Sequence, residues 1–206
     1  MFFKAFIDEL RTQRWDDHRY YHQSRINQTL HLLSALGFLC AYGVLFFDPP
    51  TAALIGWGWS MVTRQSGHFF FEPQGFDQVN QVSNEYKEAV KVGYNLDRKV
   101  VLLAIWAGVP ALIWFLPRIW SLALWPAADS VAEFWRQVGW VWLCLGAAGL
   151  AWRTVHLVHL RGPLAALAWM TKILTDPLND VRLYWRSPLA LFRGERLDPM
   201  VHVRHG

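Results

Sequence analysis

The chain has 206 residues, of which 53% are hydrophobic and 17% charged, and its formal net charge is +4. Thirteen Trp and thirteen Phe, gathered into long stretches with few charges, exclude a disordered chain or a coiled coil and point to a membrane protein. Two cysteines are too few for a disulfide framework, and the basic residues flank apolar runs instead of forming one stripe, so nucleic acid is not an expected partner.

The opening segment 1–25 mixes charges with apolar residues too closely for a cleavable signal peptide. Crossing a hydrocarbon core roughly 30 Å thick takes about 20 helical residues. From Ile26 to Phe47 there is no Asp, Glu, Lys or Arg, and Asp48-Pro49-Pro50 ends that helix. Ser24 and Asn27 are suitable N-cap residues, which places the start of the first span near Asn27. A second apolar run from Thr51 to Phe71 carries Arg64, Gln65 and His68 in its last third. The short turn between the two makes them an antiparallel hairpin. A third run covers Val100 to Pro117. Ser130 and Glu133 then have capping-box spacing ahead of a fourth, near Val138 to Val158. Further on, Asp176-Pro177 reads as N-cap and first residue of a short amphipathic helix through Arg186 that lies on the surface.

The expected fold is therefore all-α: an integral membrane four-helix bundle with a cytoplasmic N-terminal helix. The segment 1–25 precedes a transmembrane domain over 26–160, with spans at about 27–47, 51–71, 100–117 and 138–158, and an amphipathic tail over 161–206 follows. Lys and Arg number five before the first span, four between Glu72 and Lys99, two between Pro117 and Gln137, and eight from Arg153 onward. The positive-inside rule then puts both termini and the middle connection in the cytoplasm, in a plasma, inner or ER membrane.

That topology gathers imidazoles. His18, His22 and His31 flank the cytoplasmic start of span one, and His68 stands near the end of span two, with Glu72 one turn later. His156 and His159 close span four, and none of these falls on the far side. The group His22, His31 and His68, with Glu72 nearby, is the leading metal-ligand set; His18, His156 and His159 are secondary candidates. Imidazole with carboxylate suits iron, zinc, copper or nickel. His202 and His205 lie in the tail and are discounted, and Cys40 and Cys144 read as packed thiols.

Two motifs sharpen this. Tyr21-His22, Asn27 and His31 form a Y-H-x4-N-x3-H pattern, and Gly67-His68-Phe69-Phe70-Phe71-Glu72 forms G-H-x2-F-E. Together and in this order they resemble the two signatures of the yeast-type 2-hydroxy-fatty-acid dioxygenases, small polytopic membrane proteins of lipid α-oxidation. The resemblance implies iron(II), O2 as co-substrate, and oxidative shortening of a 2-hydroxy fatty acid by one carbon. It further implies that His22, His31 and His68 ligate. Glu72 would be a fourth ligand or a partner fixing an imidazole, and Asn27 a cap or a hydrogen-bond donor to the substrate carboxylate. Arg25 or Arg64 would neutralise that carboxylate at the interface. The expected partners are a fatty-acid or lipid substrate and the bilayer, with homo-oligomerisation left open. Two rival readings stand beside this one: a membrane di-iron lipid hydroxylase or desaturase, and a non-catalytic membrane scaffold.

Overall fold

The computed structural model describes residues 2–72, 75–90, 96–119 and 127–200, and every regular element among them is helical. Helix α1 covers Phe2–Tyr21 and α2 covers Arg25–Leu45. Between them Ser24 turns extended (φ −74°, ψ 127°) and its hydroxyl accepts the Asn27 amide, so Ser24 is the N-cap and α2 starts two residues before Asn27. The break is pinned from the far end of the chain. The Arg25 amide donates to the Arg196 carbonyl at 2.9 Å, and the Asp198 amide donates to the Gln23 carbonyl at 2.8 Å.

After the turn at Asp48 the second leg runs without interruption as α3 (Pro49–Leu54), a π-helical segment (Ile55–Met61) and α4 (Val62–Phe70). Helices α5 (Asn84–Val90) and α6 (Leu96–Ile119) follow. The loop ahead of α5 is tied down by Asp77, whose carboxylate accepts from the Val79 and Asn80 amides, the Asn80 side chain and Gln23.

Helix α7 (Val131–Tyr184) starts at a Ser130 cap, and Glu133 reaches back to the Asp129 amide. Gly162 then takes φ 84° and ψ 166°, a conformation essentially confined to glycine, and divides α7 into two arms. The second arm, 163–184, lies against α1, where the Gln13 amide donates to the Ala165 carbonyl at 3.1 Å. A short α8 (Ser187–Phe192) packs on α2.

The tail departs from the sequence reading. The helix begins at Pro163 and continues through Asp176 and Pro177, so Pro177 is not its first residue. Proline in a helix interior removes one amide donor, and contacts to other helices offset that loss here. One face of the segment is buried, with Asp176, Asp180 and Tyr184, and the other is exposed, with Leu178, Leu183 and Trp185.

Helices α2 and α7 are long and apolar enough to cross a membrane, and α6 contains a shorter apolar stretch, Val100–Leu116. A core of Ala53, Val109, Val138 and Trp142, with Trp57 and Trp106 against it, joins the second leg, α6 and the first arm of α7. Large apolar side chains also point outward, among them Phe46, Phe47, Phe115 and Trp152.

Candidate metal centre

The break at Gln23-Ser24 decides the site. On one continuous helix His22 and His31, nine residues apart, would face opposite ways. The extended Ser24 lets them meet instead, with Nε2 to Nε2 at 3.1 Å and ring centroids 4.1 Å apart. His68 comes from α4, its ring centroid 5.3 Å from that of His22 and 4.8 Å from that of His31. One ligand nitrogen from each of the three lies within 4.8 Å of the other two. His22 and His31 are buried to 1% and 0% exposure.

The crossing of α2 and α4 that allows this turns on Gly67 and Asn27. A Cβ on Gly67 would overlap Asn27 Oδ1, so with Asn27 in this position it is the missing side chain that lets α4 come this close. The Asn27 amide donates to the Tyr21 carbonyl at 2.7 Å, which ties the start of α2 to the end of α1. Asn27 is thus a positioning group at the crossing, within the third helical residue rather than the cap.

Two of the three imidazoles have a carboxylate at Nδ1. Glu72 Oε2 lies 2.8 Å from His68 Nδ1 and fixes the proton there, leaving Nε2 with a lone pair. Asp180 Oδ2 lies 3.6 Å from His31 Nδ1, too far for a hydrogen bond, and that nitrogen has no hydrogen-bond partner among the described residues. The third, His22, has no hydrogen-bond partner at Nδ1 and borders a polar hollow of about 10 Å³, room for about one water. Burial, reinforced by neighbouring His31, pushes the His22 imidazole well below its ordinary pKa, so it is neutral and able to donate a lone pair.

These residues fit a metal ion. Two nitrogens each about 2.1 Å from one ion stand at most about 4.2 Å apart. The 3.1 Å pair already satisfies that limit, and a separation of 4.8 Å needs to close by roughly 0.6 Å, a small side-chain rotation.

The other expected site residues fall as follows. His18 is buried next to the centre, its Nδ1 2.8 Å from the Tyr184 hydroxyl, and does not belong to the trio. His156 lies 3.1 Å from Arg153 and is exposed, as is His159. Arg25 is engaged by Asp198 at 2.9 Å and by Gln28. Arg64 pairs with Asp180 at 3.0 Å and stands 3.9 Å from Asp176, so its carboxylate partners come from α7. His202 and His205 lie outside the described residues.

The sequence reading did not identify Asp17, Lys172, Asp176, Asp180 and Tyr184. Lys172 bonds Asp17 at 3.0 Å and also Asp176, and Tyr184 packs 5.8 Å from His22 and 6.2 Å from His31, centroid to centroid. The signal was present as Lys172, Asp176, Asp180 and Tyr184 at four-residue spacing, one polar ridge of a helix.

Beside the centre opens a cavity of about 880 Å³. Arg64, His68 and Glu72 line one part of it, and Ala52, Ala53 and Leu143 line another. No protein-family model, no curated protein and no solved structure matches this chain, so the reading of function stands on the geometry of the site.

Proposed function

We propose that the chain is a membrane-embedded, iron(II)-dependent oxygenase that acts on a lipid, shortening 2-hydroxy fatty acids by one carbon. The observation that carries this reading is the meeting of His22 from the break between α1 and α2, His31 from α2 and His68 from α4, with ligand nitrogens within 4.8 Å of one another. The same three histidines stand in the two motifs that resemble the dioxygenase signatures. Three imidazoles leave coordination positions for substrate and O2, whereas a closed four-ligand set would be structural.

Iron(II) held there supplies the redox chemistry toward O2. In overall balance a 2-hydroxy acid and O2 give the acid one carbon shorter, CO2 and water. The protein's own residues do the rest. The three imidazoles would hold the ion, and Glu72 keeps the His68 proton on Nδ1, while the Asp180 carboxylate stands near His31 from α7 without a hydrogen bond to it. Asn27 keeps the helix crossing closed. With Arg64 and Arg25 already paired to aspartates, substrate orientation falls mainly to chelation by its own carboxylate and hydroxyl.

Two helices long and apolar enough to cross a membrane, α2 and α7, support the bilayer setting; in this reading the second leg and α6 are the other two spans and the Lys and Arg distribution puts the centre at the cytoplasmic end. Only 33% and 11% of the apolar windows of α2 and α7 are buried, which suits helices facing lipid better than a soluble core. The di-iron alternative needs a second ligand group, and among the described residues His22, His31 and His68 form a single one.

The test is anaerobic purification with metal analysis, then addition of 2-hydroxypalmitate and O2. Expected are about one iron per chain and a fifteen-carbon acid, both lost in His68→Ala. A protein that purifies without bound metal, or a fully metallated one that leaves 2-hydroxypalmitate unchanged, refutes the assignment.

A further inference from the structure

The 880 Å³ cavity lies at the upper end of the range for small-molecule sites, about 300–1,000 Å³. Its walls are graded. Arg64, Gln65, His68 and Glu72 are polar, whereas Phe38, Ala41, Tyr42 and Leu45 present one apolar face of α2 at helical spacing. On the second leg the lining runs from His68 back past Gly56 to Ala52.

Depth follows from helix rise. Gly56 is twelve residues from His68, about 18 Å, and Ala52 is sixteen, about 24 Å. An extended chain of single bonds advances about 1.2 Å per bond, as a polypeptide does over its three bonds per residue. The fifteen carbon–carbon bonds of a sixteen-carbon acid therefore reach about 18 Å, the depth of Gly56.

The glycines fall into two kinds. At Gly37 and Gly139 a Cβ would overlap protein atoms, Ser60 Oγ in the first case and the Pro50 carbonyl in the second, so these glycines permit helices to touch. At Gly56 a Cβ would meet only the edge of Phe38 at 3.6 Å and 3.9 Å, an ordinary contact. Packing therefore does not demand glycine at position 56; what its missing side chain leaves open is the cavity.

We propose that this cavity is a tail compartment for one unbranched acyl chain of about sixteen to twenty carbons, with its carboxylate end at His68, and that Gly56 sets the accepted length. The compartment rests on the reading of an acyl acid as substrate. Its tail recognition is purely apolar and independent of the metal. Each methylene removed from water contributes about a fourfold gain in affinity, so excluding the last two costs at least about tenfold.

The experiment titrates palmitate and decanoate, which lack the chelating hydroxyl, into the metal-free full chain and reads occupancy by native mass spectrometry. In Gly56→Phe, palmitate affinity falls at least about tenfold, while decanoate, reaching only about 11 Å, stays within about twofold. Ala41→Phe, ten residues beyond His31 on the opposite wall and thus at about 15 Å, gives the same pattern and decides the matter should Gly56→Phe not fold. Unchanged length preference in a folded variant overturns the compartment, as does a two-tailed phospholipid that co-purifies and is not displaced by palmitate. Length preference shifted in a protein that binds no iron would keep the compartment and defeat the oxygenase. Iron binding and turnover with unshifted preference would do the reverse.

Discussion

The two ends of the helical hairpin are built on opposite principles. At one end Arg14, Arg64 and Lys172 interleave with Asp17, Asp176 and Asp180 around three imidazoles. At the other, Ala53, Val109, Val138 and Trp142 pack without a charge, and among the described residues the half-exposed pair Arg136–Asp48 marks the rim, at 3.0 Å. Apolar packing is enough to hold helices together. Burying Lys172, Asp176 and Asp180 and partly burying Arg14, Asp17 and Arg64 at one end is costly and is not needed for that purpose, so their concentration beside the histidines singles that end out as the candidate site.

The largest effect expected from this contrast is at Arg64. Arg64→Met leaves Asp180, 4% exposed, and Asp176 without their shared guanidinium. Loss of one partner from a buried ion pair costs about 3–5 kcal/mol. Thermal unfolding in detergent should show that loss, and Arg64→Met combined with Asp180→Asn should recover part of it, because no unpaired charge remains. A single variant within about 1 kcal/mol of the parent would mean that the network is solvated and that the contrast between the ends is weaker than drawn.

The same substitution at two glycines sharpens the comparison further. Gly139→Ala sets a Cβ against the Pro50 backbone carbonyl, which cannot turn aside, so α3 and α7 must separate at about 1–3 kcal/mol. Gly67→Ala meets the Asn27 side-chain amide, which can rotate. Its stability cost is smaller, but it displaces the crossing that holds His68 against His22 and His31. Metal affinity measured by competition with a chelator should fall about 10–100-fold in Gly67→Ala and stay near the parent value in Gly139→Ala. Equal metal affinity in the two would show that the crossing does not position the imidazoles.

The histidine cluster was legible in the sequence because His22 and His31 stand nine residues apart around the start of α2 and His68 lies near the end of α4. His68 and Glu72 share a face at four residues, and Ser24 offered a cap between His22 and His31. The Ser130 cap was legible for the same local reason. What surrounds the trio was not. Asp180 and Tyr184 reach it from more than one hundred positions away, after Gly162 has turned the second arm of α7 against α1. That turn depends on a backbone conformation, not on a hydrophobic period. The cap chemistry of Asp176-Pro177 also suggested a helix start, and the i,i+4 pair with Lys172 and the tertiary pair with Arg64 override it by holding Asp176 in the middle of a helix. Arg64 had a nearby carboxylate in Glu72, but the fold supplies closer ones.

The smallest expected effect concerns how the polar end is closed from outside. Asp77 holds the loop before α5 to Gln23, the residue next to His22. Burial works to raise its carboxyl pKa, but the Asn80 and Val79 amides and the Asn80 and Gln23 side chains outweigh it and hold the group below 3.8. A depressed folded pKa means that the contribution to stability is complete above 3.8 and is lost as pH falls through the folded value. Asp77→Asn keeps the shape and removes the charge, so at neutral pH it should cost about 1 kcal/mol. The gap between parent and variant, followed by thermal unfolding from neutral pH downward, should narrow once pH passes below 3.8 and close beneath the folded pKa. A gap that stays constant down to that range would show that the loop is held by shape alone, leaving the charge economy of the polar end confined to the groups that face the histidines.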